Sequence, residues 1–92
     1  MKIVLNDCYG GFSVSDEFLN HYGIPKKEKY NISRYDKRLI EYIETYGSKA
    51  ASGRSAELII EEIPAGTYYR IEEYDGIESI LCRNDTHWLV AE

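Results

Sequence analysis

Asp75 and Gly76 stand between two β-rich runs, Tyr68-Tyr69-Arg70-Ile71-Glu72-Glu73-Tyr74 and Ile77-Glu78-Ser79-Ile80-Leu81-Cys82. A two-residue type I′ turn needs positive φ at both central positions, and Asp-Gly tolerates this, so the dipeptide predicts a tight antiparallel hairpin. The turn sets the register. Tyr74 faces Ile77, then Glu73 faces Glu78, Glu72 faces Ser79, Ile71 faces Ile80, Arg70 faces Leu81 and Tyr69 faces Cys82. Alternate pairs share a face, which makes Tyr69, Ile71, Ile80 and Cys82 the expected core side.

The rest of the chain supplies further strands and two helices. Lys2-Ile3-Val4-Leu5-Asn6 is an aliphatic run with little polar alternation, read as a central strand. Ser15 followed by Asp16 and Glu17 is a helix start, with Phe18, Leu19 and Tyr22 on one side and Gly23 and Pro25 as the stop. Lys26-Lys27-Glu28-Lys29 reads as a solvated charged connection. Asp36 or Ser33 caps a second helix whose Leu39, Ile40, Ile43 and Tyr46 recur at three- and four-residue steps, ended by Gly47. Ser48 to Ser55 is small and polar and reads as a mobile connection. Ala56 to Ile63 is a strand closed by Pro64 and expected to form a hairpin with Tyr68–Tyr74, while Thr86 to Val90 is a last strand after Arg83-Asn84-Asp85. The expected architecture is one α+β domain over residues 1–92, in the order β-α-α-β-β-β-β. About five strands form one antiparallel sheet, with both helices packed on one face.

Charge limits the partners. Eleven Lys and Arg against sixteen Asp and Glu give a net charge of −5, which argues against duplex DNA, since that binding runs on clustered cations. No apolar run approaches the roughly 20 residues that span a bilayer, so a soluble cytoplasmic protein without membrane contact is expected. Cys8 and Cys82 lie far apart, and neither has a partner at CxxC spacing. Free thiols are therefore expected, without structural zinc, other metal or cofactor. The nine tyrosines are the compositional oddity. Tyr joins a large apolar body to a hydroxyl, so it suits either a small core or a half-buried binding face.

Cys8-Tyr9-Gly10-Gly11-Phe12 is the leading candidate for a ligand site. Paired glycines after a strand allow positive φ or close approach of a ligand, and the loop runs towards a helix N-terminus. In this reading backbone N–H groups hold an anion, Tyr9 or Phe12 stacks on a base or ring, and Arg34 and Arg54 supply charge. The same glycines also serve an ordinary structural bend, and the pattern is not a P-loop. Cys8 reads less well as a nucleophile with His21 or His87 as base and Asp7 or Asp85 as orienter. Nothing in the spacing selects either histidine, and no enzyme is expected. Glu73 and Glu78 face each other across the hairpin beside Asp75, and like charges so placed need an offset: a hard cation, an arginine or, the expected case, solvent screening. With Glu72 and Tyr74 they form an acidic candidate interaction face, and Glu57, Glu61 and Glu62 extend the acidic character to a neighbouring strand.

The segment from Lys2 through Cys8-Tyr9-Gly10-Gly11-Phe12-Ser13, Arg34 with Asp36 before a helix ending in Gly47, Ala56-Glu57-Leu58, Ile63-Pro64 and Glu73-Tyr74-Asp75-Gly76 with Glu78 resembles small phage and prophage proteins with a CYGGF-type N-terminus. The chain departs from their usual form at Lys37, where a proline often follows the Asp. The resemblance implies a mobile-element origin and an accessory task such as overcoming host defence. The resulting expectation is a homo-oligomeric, non-enzymatic counter-defence protein that sequesters a small anionic, nucleotide-like molecule. The alternative is an acidic inhibitor that occupies a basic host defence protein or nuclease.

Overall fold

The computed structural model describes residues 1–83, 89 and 90. In chain order the elements are β1 (Lys2–Asn6), α1 (Asp16–Tyr22), a 3-10 turn (Lys26–Glu28), α2 (Lys37–Tyr46), α3 (Ser48–Ala51), β2 (Leu58–Glu62), β3 (Tyr68–Tyr74), β4 (Ile77–Arg83) and β5 (Leu89–Val90). The α+β class stands. The single sheet does not: β1 pairs with β2, while β3 lies between β4 and β5 in a second antiparallel sheet. Four strands of five or seven residues carry the structure, and β5 adds two residues at Tyr68 and Tyr69. Asp85, His87 and most of the strand expected over Thr86–Val90 lie outside the described residues. Among the described residues no helix is long and apolar enough to cross a membrane.

The hairpin between β3 and β4 has the register expected from Asp75-Gly76, from Tyr74 opposite Ile77 to Tyr69 opposite Cys82. Asp75 and Gly76 have φ of 50° and 94°, as a type I′ turn requires. The second expected hairpin, β2 with β3, is absent. Met1 and Ile63 exchange backbone bonds of 2.7 and 2.8 Å, which extends the β1–β2 ribbon to Pro64, and the turn closed by Thr67 N–H on Pro64 O carries the chain into the other sheet.

What separates the sheets is the outer edge of β1. Val4 N–H donates to Arg34 O at 2.6 Å, and Asn6 N–H donates to the Glu78 carboxylate at 3.0 Å. A loop carbonyl and a side chain occupy the positions a neighbouring strand would take.

The ribbon buries both faces. Val4, Leu58 and Ile60 pack with Phe18, Leu19, Leu39, Tyr42 and Ile43 beneath the helices. On the opposite face Ile3 and Ile63 meet Tyr69, Ile71 and Ile80 of the hairpin. Alternation along β1 therefore serves two cores.

Local chemistry explains the helices. Ser15 Oγ accepts from Phe18 N–H and caps α1, and Asp36 Oδ1 accepts from Arg38 N–H at 2.8 Å and caps α2. The helix α3 replaces part of the connection expected over Ser48–Ser55. A single turn is too short to be stable alone, and it is held from outside: Ser48 Oγ donates to Leu58 O, and Ser52 Oγ accepts from Leu58 N–H at 2.9 Å while donating to Ser48 O.

Candidate functional site

Asn6 ends β1 with no exposed surface, and a buried amide must find partners for both its ends. It does. Nδ2 donates to Cys8 O and Gly76 O, each at 2.8 Å, and Oδ1 accepts from Glu57 N–H at 2.8 Å. One side chain thus ties the Cys8–Phe12 loop, the hairpin turn and the entry to β2. The residue carries no motif, and only its position after an aliphatic strand hints at it.

Two glycines allow the tie. A Cβ on Gly76 would stand 2.5 Å from Gly11 N and from Tyr9 O, and a Cβ on Gly10 would stand 1.6 Å from Ser55 O. The hairpin tip and the Ser55 main chain press on the loop from two directions. Cys8 is a free thiol and donates to Ser55 O at 3.1 Å.

Glu78 lies on the core side of its hairpin and is 8% exposed. Its Oε1 accepts from Asn6 N–H and from Arg34 Nε at 3.1 Å, and its Oε2 accepts from an Arg34 terminal nitrogen at 2.7 Å. This two-pronged contact is the geometry guanidinium and carboxylate prefer. The Arg34 guanidinium also sits 3.5 Å from the centroid of the buried Phe12 ring. The offset to the opposed glutamates is therefore an arginine rather than solvent screening. Glu73, still exposed, accepts from Gly76 N–H at 3.2 Å. Among the described residues no group of three or more His, Cys, Asp and Glu is placed to hold a metal ion.

The expected ligand residues are brought together only in part. Cys8, Tyr9, Gly10, Gly11, Phe12 and Arg34 share one neighbourhood, but Arg34 is engaged by Glu78. Arg54, next in the chain to the Ser55 that touches Gly10, borders a depression of about 590 Å³ lined also by Ser48, Lys49, Ser52, Gly53, Ala56 and Glu57. Among the described residues neither Arg54 nor Lys49 has an ion pair. The hydrogen-bond partners of Cys8 are Ser55 and Asn6. His21 packs instead edge-on to Tyr22, Tyr42 and Tyr46, with ring centroids 4.6, 5.4 and 5.9 Å away.

Of the expected interaction face, Glu72, Glu73, Tyr74 and Asp75 are exposed and Glu78 is buried. Tyr9, 70% exposed, flanks the same tip, because its carbonyl lies against Gly76, while Tyr74 is 74% exposed. Both uses of tyrosine occur: Tyr42 and Tyr69 are core residues, and Tyr9, Tyr30, Tyr35, Tyr46 and Tyr74 face outward. No family model, curated protein or solved structure matches the chain.

Proposed function

We propose that the chain is a non-catalytic protein-interaction module whose contact surface is the hairpin tip with the adjoining Cys8–Phe12 loop. The observation that carries this reading is the combination of outward Tyr9, Tyr74, Glu72, Glu73 and Asp75 with a fully bonded support beneath them, Asn6 on Gly76 and Glu78 on Arg34. A preorganised surface loses little entropy on association. Exposed tyrosines supply contact area, and the Glu73 and Asp75 carboxylates, which have no ion pair among the described residues, steer a basic partner and exclude acidic ones, whereas Glu72 is paired with Arg70 at 2.6 Å. Together with the resemblance to phage proteins, this makes a basic host defence protein or nuclease the class of partner.

The test is capture from a bacterial host extract by the wild-type chain and by a variant carrying Tyr74→Ser, Glu73→Lys and Asp75→Lys, both shown to be folded. The proposal expects a basic partner that dissociates as salt is raised and that the variant fails to retain, because exposed charges are screened over about 8 Å at physiological ionic strength. Equal retention by both chains refutes it.

A second reading, capture of a small phosphate-bearing molecule, keeps one specific support: the depression at Lys49 and Arg54, where neither cation has an ion pair among the described residues. Calorimetry with nucleotides tests it. Arg54→Ala abolishes any heat if that depression is the site.

A further inference from the structure

The hydrogen-bonding pattern of the β1–β2 ribbon fixes which backbone groups point away from it. Met1 with Ile63 and Asp7 with Glu57 are bonded pairs, so odd-numbered residues of β1 and β2 bond each other and even-numbered residues point outward. Half of the outward N–H groups find partners among the described residues: Val4 on Arg34 O, Asn6 on Glu78, and Leu58 on Ser52 Oγ. Leu58 O is likewise taken by Ser48 Oγ.

The exceptions on β2 are Ile60 and Glu62. Their outward N–H and C=O groups have no partner among the described residues. Such an edge is a template for another strand, and proteins usually blunt it with lysine, proline or a bulge. No lysine or proline stands within β2, and its ladder to β1 runs without a bulge. The edge carries Glu61 and Glu62, both exposed, with Glu57 just before it. The cation opposite Glu62 is Lys2, which is paired to Glu44 at 2.5 Å.

We infer that the open edge of β2 at Ile60–Glu62 receives an extended, Lys- or Arg-bearing peptide segment of a partner as an added strand. Main-chain bonds to Ile60 and Glu62 would supply the pairing, and side chains flanking them would meet Glu57, Glu61 and Glu62. A second copy of this chain is a poor occupant. Antiparallel self-pairing centred on Ile60 would need the Leu58 groups that Ser48 and Ser52 hold. Centring it on Glu61, which pairs Ile60 with Glu62, or on Glu62 would set that glutamate opposite its own copy, like charge against like charge. This edge is at the other end of β1 from the hairpin tip, since Lys2 faces Glu62 while Asn6 bonds Gly76, so the inference stands apart from the function proposed above.

The experiment is amide exchange and chemical-shift mapping on the labelled chain, titrated with a terminally blocked peptide of alternating Val and Lys. A peptide of alternating Val and Glu is the control. In the free protein the Ile60 and Glu62 amides should exchange much faster than those of Ile59 and Glu61. The Val/Lys peptide should slow Ile60 and Glu62 about tenfold or more and leave the hairpin tip unmoved. Glu62→Pro removes one outward donor and leaves the ladder to β1 intact, because that N–H faces away from β1, and it should abolish the protection. Should that variant lose its fold by circular dichroism, a Glu61→Lys, Glu62→Lys variant takes its place and should lose the peptide. Four results overturn the inference: no protection with the Val/Lys peptide, equal protection with the Val/Glu peptide, retained protection in the folded variants, or protection that rises with protein concentration alone, which marks self-pairing.

Discussion

Replacing Arg34 by methionine should destabilise the protein by about 3 kcal/mol, the low end of the cost of removing one partner from a buried ion pair. The low end applies because the Arg34 side chain is 26% exposed, whereas Glu78 is 8% exposed. Loss of the guanidinium leaves the carboxylate with Asn6 N–H as its remaining donor, and it also removes the cation from the face of Phe12. For a domain of this size the change corresponds to a fall in Tm of roughly 12–24 °C. Glu78→Gln should cost less, about 2 kcal/mol, because the freed guanidinium can turn to water and glutamine still offers Asn6 an oxygen. In the double variant the cost should fall short of the sum by at least about 1 kcal/mol, since each single change includes the penalty of stranding the other group. Urea unfolding monitored by far-UV circular dichroism measures all four proteins. A cost below about 1 kcal/mol for Arg34→Met, or simple additivity of the two changes, refutes the claim that this pair fastens the hairpin to β1.

Asn6→Asp is nearly isosteric but sets a carboxylate oxygen against Cys8 O and Gly76 O, so it should destabilise by roughly 3 kcal/mol or more in the same urea assay, as Asn6→Ala should by leaving those carbonyls unpaired. Gly10→Ala should cost more than the about 1 kcal/mol typical of a glycine change, because its Cβ would fall 1.6 Å from the Ser55 carbonyl oxygen, and thermal melts check this. Hydrogen bonding from Arg38 holds the Asp36 carboxyl below its usual range. Its contribution is therefore present above the unfolded value near pH 4 and is lost as pH falls through the lower folded value. Asp36→Asn should flatten that part of the acid side of a Tm-against-pH profile while costing no more than about 1 kcal/mol at pH 7, since asparagine still caps α2.

The parts of this fold that were legible in the sequence are those with local causes. Asp75-Gly76 sets the β3–β4 register because the turn itself dictates it, and Ser15 and Asp36 mark helix starts because a cap acts within one turn. The partner of β2 was not legible, since nothing within Ala56–Ile63 distinguishes β1 from β3 as its neighbour. Nor was α3, a turn made by serines docking on Leu58 rather than by its own propensity. Glu78 is the instructive case. The register puts it on the same side as Tyr69, Ile71 and Ile80, so its burial was implied by alternation, yet the group that makes burial tolerable lies 44 residues earlier.

That long-range pair also changes how the candidate site must be probed. The loop read as a ligand cradle and the tip read as an interaction face look like rivals along the chain, but Asn6 and the close approach of Gly76 to Tyr9 and Gly11 make them one body. Changes at Gly10, Gly76, Arg34 or Glu78 act on the support and would disturb either activity alike. Tyr9, Tyr74, Glu73 and Asp75 project from that support, so loss of function on changing them, with stability intact, assigns contact rather than folding.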